Sequence, residues 1–289
     1  MQTMKGFNGL VMKIAIITNV TKDTGLSTAM RVADYLSGKA ELYMSDDCIL
    51  PKESTVSYIP YEQIWEIVEL AVVIGGDGTL LQIASKCAQH SIQALGINLG
   101  KVGFLTEIET SEIETALKCI LDGRYKTEKR MLLKMQINNE NVSYHALNDI
   151  VVSKPDGVKI IGVDLYTDNE LVYHYVADGL IIATPTGSTG YSISAGGPVV
   201  DPSMNLYIAT PICPHMLSVR SAVLSSDKEI VIKLSRDYVN NSAMISTDGE
   251  KQRFINTEDE IRISKSGYEF ELIKIGESSF YNTLINKLS

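Results

Sequence analysis

Leu70-Ala71-Val72-Val73-Ile74-Gly75-Gly76-Asp77-Gly78-Thr79-Leu80-Leu81 is the stretch on which the fold of this chain turns. An apolar run enters three glycines in four positions, and a helical pattern follows over 79–90. A strand buried on both faces reads as such a run, so 72–75 is expected to be the central strand of a parallel sheet. Glycine lets the backbone turn sharply and lie close to a ligand. Thr79 is placed to cap the following helix, whose free N–H groups favour phosphate. Gly75, Gly76, Gly78 and Thr79 are therefore candidate phosphate contacts. Asp77 is the odd member, because a carboxylate beside a phosphate cradle is repulsive unless it handles a metal or a proton. The plain alternative is a tight turn with Asp77 as a local cap.

Outward from this stretch, strand and helix patterns alternate. Residues 11–18 read as a buried strand, 25–37 as a helix with Leu26, Met30, Ala33 and Leu36 on one face, and 40–44 as a strand. Residues 61–69 read as a short amphipathic helix and 93–98 as another apolar strand, followed by a second glycine-rich run at 100–103. A helix over 111–121 opens with Ser111 and Glu114 at capping-box spacing. This alternation predicts a parallel α/β sheet with ligands beyond the carboxyl ends of its strands. After Gly123 the pattern becomes short and β-rich: 131–137, 143–153, 158–166, 171–176, 179–184, 229–234, 243–247, 260–264 and 269–275. Turn residues such as Asn138-Asn139, Asp168-Asn169 and Asp248-Gly249 separate them. The last residues, 280–288, look helical and are expected to pack back onto the first domain.

Composition narrows the function classes. The 289 residues carry a formal charge of −9, an acidic balance that argues against nucleic acid or an anionic membrane surface as partner. Cys48, Cys87, Cys119 and Cys213 show no CxxC spacing, the usage of a reducing cytoplasm rather than of a disulfide frame or zinc site. No apolar run reaches the length of a membrane span, and the N-terminal residues lack a cleavable signal pattern. His90, His145 and His174 are scattered, and Trp65 sits on an amphipathic stretch; each reads as packing or surface.

A second run carries chemistry: Asp178-Gly179-Leu180-Ile181-Ile182-Ala183-Thr184-Pro185-Thr186-Gly187-Ser188-Thr189-Gly190-Tyr191-Ser192-Ile193-Ser194-Ala195-Gly196-Gly197-Pro198. A strand feeds a loop of glycines and hydroxyls with one aromatic. Such groups suit ribose and base edges, and Tyr191 offers a face to an adenine; a long polar loop is the plain alternative. GGDGT alone resembles the signature of a superfamily that includes NAD kinases, diacylglycerol and sphingosine kinases and, with a final Ser, 6-phosphofructokinases. GGDGT, then INLGKVGFLTE, ALND, ADGLIIATPTGSTGYSISAGGP, TPICPHMLSVRS and the tail Tyr281-Asn282-Thr283-Leu284, in this order and spacing, together resemble bacterial NAD kinases from about residue 13 onward.

The resemblance implies an α/β N-terminal domain with a Rossmann-like parallel sheet (1–125, completed by the tail 276–289) and an all-β, NAD-binding C-terminal domain (126–275). This is the architecture of NAD kinases and diacylglycerol kinases, with a pocket between the two. It implies transfer of the γ-phosphate of ATP to the 2′-hydroxyl of the adenosine ribose of NAD, giving NADP. Asp77 matches the catalytic base and Gly78 its neighbour in the site. Phe104 matches an aromatic wall of the dinucleotide pocket. Asn148 and Asp149 match the pair that holds ribose hydroxyls. Lys159 falls where the family often has a basic residue. Asp178 matches the contact to the ligand's amide edge. Thr186, with Thr189, Gly190, Tyr191, Ser192, Ile193 and Ser194, matches the adenosine loop, and Asp248 a late ligand contact. Val176 lines the same site where some relatives carry Arg, a position tied to the choice of phosphate donor. Asp149 is one methylene shorter than the commoner Glu, Gly190 replaces a commoner Ala, and Ser221 a usual Pro. The implied partners are NAD and ATP, with Mg²⁺ carried by ATP and no metal site of the protein's own. A cytoplasmic homodimer or homotetramer is implied as well.

The chemistry fits. Phosphoryl transfer needs positioning and charge neutralisation more than covalent chemistry. A positioned carboxylate helps a sugar hydroxyl that is a poor nucleophile at neutral pH. No GxxxxGK[ST] sequence is present, so phosphates are not held in the P-loop manner. A lipid kinase would share GGDGT but should show a basic membrane face. A serine hydrolase would need the last glycine of GxSxG, which Gly190-Tyr191-Ser192-Ile193-Ser194 lacks. A dinucleotide sensor would keep the binding loops and lose the base, yet Asp77 is present.

Overall fold

Between residues 13 and 121, apolar strands alternate with amphipathic helices and pair in parallel. The elements are β1 (Lys13–Thr18), α1 (Ser27–Leu36), β2 (Glu41–Ser45), β3 (Val56–Ile59), α2 (Tyr61–Ile67), β4 (Leu70–Gly75), α3 (Asp77–Gln89), β5 (Gln93–Asn98), β6 (Ile108–Glu109) and α4 (Ile113–Leu121). The computed structural model describes residues 11–100, 103–155, 160–215, 219–237, 242–276 and 279–288. Lys159, one of the expected site residues, lies outside them. The chain divides into two compact units, one running to Lys129 and resuming at Phe270, the other spanning Arg130–Glu269.

In the first unit the strand order is β3-β2-β1-β4-β5, all parallel. All six residues of β4 are buried, which is why that strand reads as an unbroken apolar run. The chain builds outward from β1 through β2 and β3, then returns to lay β4 and β5 on the other side. Connections therefore diverge at the carboxyl ends of β1 and β4, where an open parallel sheet forms a ligand crevice. The core joins Ile14, Ile16, Val72, Ile74 and Leu95 of the sheet to Val32 and Leu36 of α1 and Ile113, Leu117 and Ile120 of α4.

The second unit is made of antiparallel strands: β7 (Lys126–Ile137, from Arg130 on), β8 (Tyr144–Ala146), β9 (Asp149–Ser153), β10 (Ile161–Thr167), β11 (Glu170–Ala177), β12 (Gly179–Ala183), β13 (Leu206–Ile212), β14 (Ala222–Ser225), β15 (Ile230–Leu234), β16 (Ser242–Thr247), β17 (Glu250–Asn256) and β18 (Glu260–Lys274). One sheet has the order β14-β13-β12-β9-β16-β17; another set pairs as β11-β10-β15-β18. Side chains from both fill one core, among them Met135, Val163, Tyr175, Ile182, Tyr207, Ile245 and Ile263. The last residues of β18 belong to the first unit, where Glu271 and Leu272 pair in parallel with β5. A short helix α5 (Tyr191–Ser194) follows β12, and α6 (Phe280–Leu288) ends the described chain.

Several local details differ from the expectation. The helix α3 begins at Asp77, with Gly76 as its N-cap and no side-chain cap, so Thr79 sits inside the first turn and is buried. Near residue 110 the capping box is formed by Glu109 and Glu112 rather than by Ser111 and Glu114, and Glu114 instead holds Arg31. The buried face of α1 is Ala29, Val32, Ala33 and Leu36, with Leu26 and Met30 at its edge. The stretch 143–153 is broken at Leu147-Asn148, while 260–264 and 269–275 are parts of one long strand. Strands β3, β6, β13, β14 and β17 were not expected. The turn dipeptides Asn138-Asn139, Asp168-Asn169 and Asp248-Gly249 all take positive φ at both residues, the backbone that tight hairpins require.

Gly179 opens β12 where a Cβ would lie 2.5 Å from the Val152 carbonyl oxygen and 3.1 Å from Ser153 Cα. Backbone on the neighbouring strand cannot yield as a side chain can. Gly179→Ala should lower stability by about 1–3 kcal/mol, read as a lower denaturation midpoint with an unchanged slope.

Candidate active site

In the first unit, β4 delivers Asp77 to the start of α3. Its carboxylate is held by the loop that follows β5. Phe104 N–H donates to Oδ2 at 2.8 Å, while Leu105 N–H (3.1 Å), Thr106 N–H (3.0 Å) and the Thr106 hydroxyl (3.0 Å) donate to Oδ1. Gly103 makes this approach possible, since a Cβ there would stand 1.8 Å from Asp77 Oδ1. Gly75 is equally confined, by Thr79. Gly78 is different: it is exposed, and a Cβ on it would meet nothing within 4 Å. The fold does not demand glycine there. Gly76 lies beneath Lys22, whose Nζ is 3.3 Å from the point a Gly76 Cβ would occupy. Phe104 is half-buried, tilted against Phe280 with ring centroids 5.8 Å apart, and Lys287 Nζ lies 4.7 Å from its ring centre.

In the second unit, the break between β8 and β9 presents Asn148 and Asp149. Asp248, at the β16–β17 turn, holds that break: its Oδ2 accepts from Leu147 N–H (2.7 Å) and its Oδ1 from Asn148 (2.8 Å) and Asp149 N–H (3.0 Å). The Thr184 hydroxyl donates to the Leu147 carbonyl, and Thr184 N–H to that of Asn148. The turn after β12 then packs on the same residues. A Cβ on Gly187 would fall 2.1 Å from the Asn148 carbonyl oxygen, and one on Gly190 3.3 Å from Asn148 Nδ2 and 3.9 Å from Asp149 Oδ2. Asn148 Oδ1 is buried with no hydrogen-bond partner among the described residues.

The remaining expected residues divide by position. Thr189 and Ile193 are half-buried, Ser194 is exposed, and Tyr191 is 47% exposed. Thr186 is buried with Arg130 Nη1 at 3.5 Å from its hydroxyl, and Ser192 is buried with its hydroxyl 3.0 Å from that of Thr210. These two hold the loop from within. Asp178 and Val176 lie apart from Asn148 and Asp149. The register pairs Asp149 with Ala183 and Ser153 with Gly179, so Asp178 stands at the opposite end of β12, about 16 Å away at ~3.3 Å per residue. There it pairs with Lys154 at 2.7 Å.

Burial, and then the charge of Asp248, push the Asp149 carboxyl up to about 7. Burial raises Asp248 to about 6, although its three backbone hydrogen bonds oppose the rise. The two carboxyls thus keep protons that ordinary carboxyls release near pH 4.

This geometry has relatives. Residues 14–125 match the model of the ATP-NAD kinase N-terminal domain, and 147–275 that of the ATP-NAD kinase C-terminal domain. The chain belongs to the ATP-NAD kinase family. A NAD kinase of Caldanaerobacter subterraneus subsp. tengcongensis is 38% identical over 288 residues, covering 96% of this chain and 99% of that one. One of Natranaerobius thermophilus is 36% identical over 283 residues, covering 96% and 97%. The crystal structure of yeast NADH kinase complexed with NADH superposes with a TM-score of 0.86 at 26% identity, covering 96% of this chain and 87% of that one. That of an Archaeoglobus fulgidus NAD kinase in complex with ATP gives 0.73 at 28%, covering 96% and 98%. The enzyme phosphorylates NAD to NADP using ATP. Among the described residues no helix is long and apolar enough to cross a membrane.

Sequence reasoning missed Lys22, Thr106 and Thr184. Thr106 follows Phe104 by two residues in the quoted GFLTE run, and Lys22 lies in the loop after the first parallel strand, so position in the α/β pattern was the available signal for both. Thr184 was quoted as part of a ligand loop, whereas its bonds run to the backbone.

The raised carboxyls of the kinase set a sign for its pH dependence. A group whose folded pKa exceeds its unfolded one contributes stability that is full below the unfolded value and lost as pH rises through the folded value. Stability of the ligand-free enzyme should therefore fall as pH rises from about 4, where the unfolded carboxyls ionise, to about 6 to 7, and level off above that. Asp149→Asn should flatten that decline, measured by urea denaturation at intervals from pH 4 to pH 8.

Proposed function

We propose that Asp77 is the general base that takes the proton from the 2′-hydroxyl of the adenosine ribose as that oxygen attacks the γ-phosphorus of ATP. One observation carries this reading: the carboxylate is asymmetrically satisfied. Oδ1 accepts three hydrogen bonds and Oδ2 one. An ionised carboxylate oxygen has about two lone-pair sites, so Oδ2 keeps acceptor capacity for a hydroxyl while Oδ1 anchors the group. The bond to phosphorus forms at the ribose oxygen, the bond from phosphorus to the bridging oxygen of ADP breaks, and the proton passes to Oδ2.

Asn148 and Asp149 hold ribose hydroxyls in this reading, and the unpartnered Asn148 Oδ1 supports it as an acceptor awaiting a donor. Asp149, neutral up to about pH 7, can donate as well as accept. Tyr191 faces the adenine, with Thr189, Gly190, Ile193 and Ser194 about it and Thr186 and Ser192 beneath. Asp178 contacts the amide edge of NAD, Val176 and Lys159 are further contacts to the dinucleotide, and Phe104 is a wall of the pocket. Asp248 acts through the Leu147–Asp149 backbone rather than by touching NAD, because its oxygens are already engaged there. Gly75, Gly76, Gly78 and Thr79 form the phosphate cradle. Mg²⁺ enters with ATP as part of the substrate, held by phosphate oxygens and water. The enzyme works as a homodimer or homotetramer in the cytoplasm.

Asp77→Asn should leave the NAD dissociation constant unchanged by calorimetry and lower kcat by about 10²–10⁴-fold. Wild-type turnover in that variant would remove Asp77 as the base. Gly78→Ala separates ligand approach from fold: stability should hold or rise by about 0.5–1 kcal/mol, since the residue is helical and its Cβ is unopposed. The KM for ATP should rise several-fold, and an unchanged KM would take Gly78 out of the cradle.

A further inference from the structure

We propose that the buried ion pair between Glu107 and Lys274 is a positioning device for the reaction, holding in register the loop that grips Asp77; this role rests on the reading of Asp77 as the base. The four hydrogen bonds to the Asp77 carboxylate come from three consecutive residues, Phe104, Leu105 and Thr106. Where those donors point is set by what holds the segment on either side. On one side the loop lies against β5: a Cβ on Gly96 would stand 2.9 Å from Thr106 Cα and 3.1 Å from the Leu105 carbonyl oxygen. Gly103 N–H donates to the Thr106 carbonyl at 3.1 Å and closes the turn. Past the segment, Ile108 and Glu109 pair in parallel with Ile97 and Asn98. Glu107 is the single residue between the last donor and that pairing, and its carboxylate meets Lys274 Nζ.

Both side chains are withdrawn from water, 11% exposed at Glu107 and 10% at Lys274. Lys274 is the last residue of β18, two beyond Leu272, which pairs with Ala94 of β5. The ammonium is thus delivered by a neighbouring strand of the same sheet, and it ties the loop to that strand. A buried pair of this kind roughly balances its own desolvation and adds little net stability. What it adds is direction. Opposite charges in contact have one arrangement, whereas apolar side chains at the same place could pack in several. Thr106, immediately before Glu107, supplies two of the three bonds to Asp77 Oδ1, one from its N–H and one from its hydroxyl. Any slack at Glu107 therefore passes to the carboxylate through a single peptide unit. Displacing a reacting group by about 1 Å can cost on the order of 100-fold in rate, so slack of a fraction of that is enough to be read in kcat.

The test replaces both partners at once in the whole enzyme, Glu107→Leu with Lys274→Met, because removing one alone leaves the other charge buried and unpaired. This double variant should keep the urea midpoint of the unsubstituted enzyme and the KM for NAD and for ATP within about twofold, while kcat falls about tenfold. Glu107→Gln with Lys274→Met, close to isosteric at both positions, is the second variant and should read the same, so the outcome does not hang on how one apolar pair packs. The same changes are then made in the Asp77→Asn enzyme, assayed at high enzyme concentration. There kcat should fall by no more than about twofold further, since the pair acts through the Asp77 carboxylate. An unchanged kcat in a folded double variant would overturn the proposal. An equal loss with and without the Asp77 carboxylate, the mark of a merely structural role, would do so too, as would a lowered midpoint in both double variants. Full turnover in Asp77→Asn alone would bring down the base reading itself, and is told apart because the ion pair is intact in that enzyme.

Discussion

A carboxylate that accepts backbone N–H groups is the joint on which the ligand-facing edge of each unit depends. Strand ends and helix starts leave donors with no partner in their own element, and burying them unpaired is expensive. Three aspartates meet this need. Asp23, 2% exposed, accepts from Thr28 and Ala29 N–H at the start of α1 and from the Thr18 hydroxyl at the end of β1. Asp77 accepts from the loop after β5, and Asp248 from the break before β9. Each ties two segments distant in sequence, or a strand end to a helix start, at a point where the chain leaves regular structure. The same geometry that satisfies the donors also fixes where Asp77, Asn148 and Asp149 stand. In the proposed mechanism the requirement of a folded backbone and that of a reactive site are met by the same atoms.

Legibility of the fold in the sequence followed burial. The strand β4 and helix α3 could be read because one is buried on both faces and the other keeps a 3.6-residue period. The hairpin dipeptides could be read because Asn, Asp and Gly tolerate positive φ. Strand β13 could not, since Thr210-Pro211 inside it reads as a loop signal. Yet Pro211 stands opposite Leu180 in an antiparallel ladder, beyond the residues Leu206 to Ala209 that pair with β14, where only one side of the strand is laddered. Strand β3 has four residues and little alternation. The capping box shifted from Ser111 to Glu109 because the chain makes a 3₁₀ turn over Thr110–Glu112 before α4, which makes Glu109 the cap and Glu112 its partner.

Site residues were legible by type but not by role. GGDGT and TPTGSTGYS announce close backbone approach, and the structure divides their glycines into two kinds. Gly75, Gly103, Gly187 and Gly197 are enclosed by side chains or backbone and are required by packing, whereas Gly78 faces open space. Likewise the hydroxyls of Thr184, Ser188 and Ser192 turn inward to carbonyls or to Thr210, while Tyr191 and Ser194 remain outside. A sequence cannot make this separation, because it depends on which neighbours the tertiary fold supplies.

The separation bears on how the chemistry is divided. An inward set of short polar side chains holds loops whose backbone would otherwise be free to move, so a ligand that met the outward set would do so at fixed positions, with little entropy lost on binding. Asp77 belongs to both sets in the proposed mechanism: Oδ1 accepts three hydrogen bonds of the frame, and Oδ2, which accepts one, keeps acceptor capacity. A carboxylate free on both oxygens would rotate about its side-chain bond and present the acceptor only part of the time. Three donors on one oxygen remove that freedom, and they do so with backbone groups of a loop that β5 itself positions.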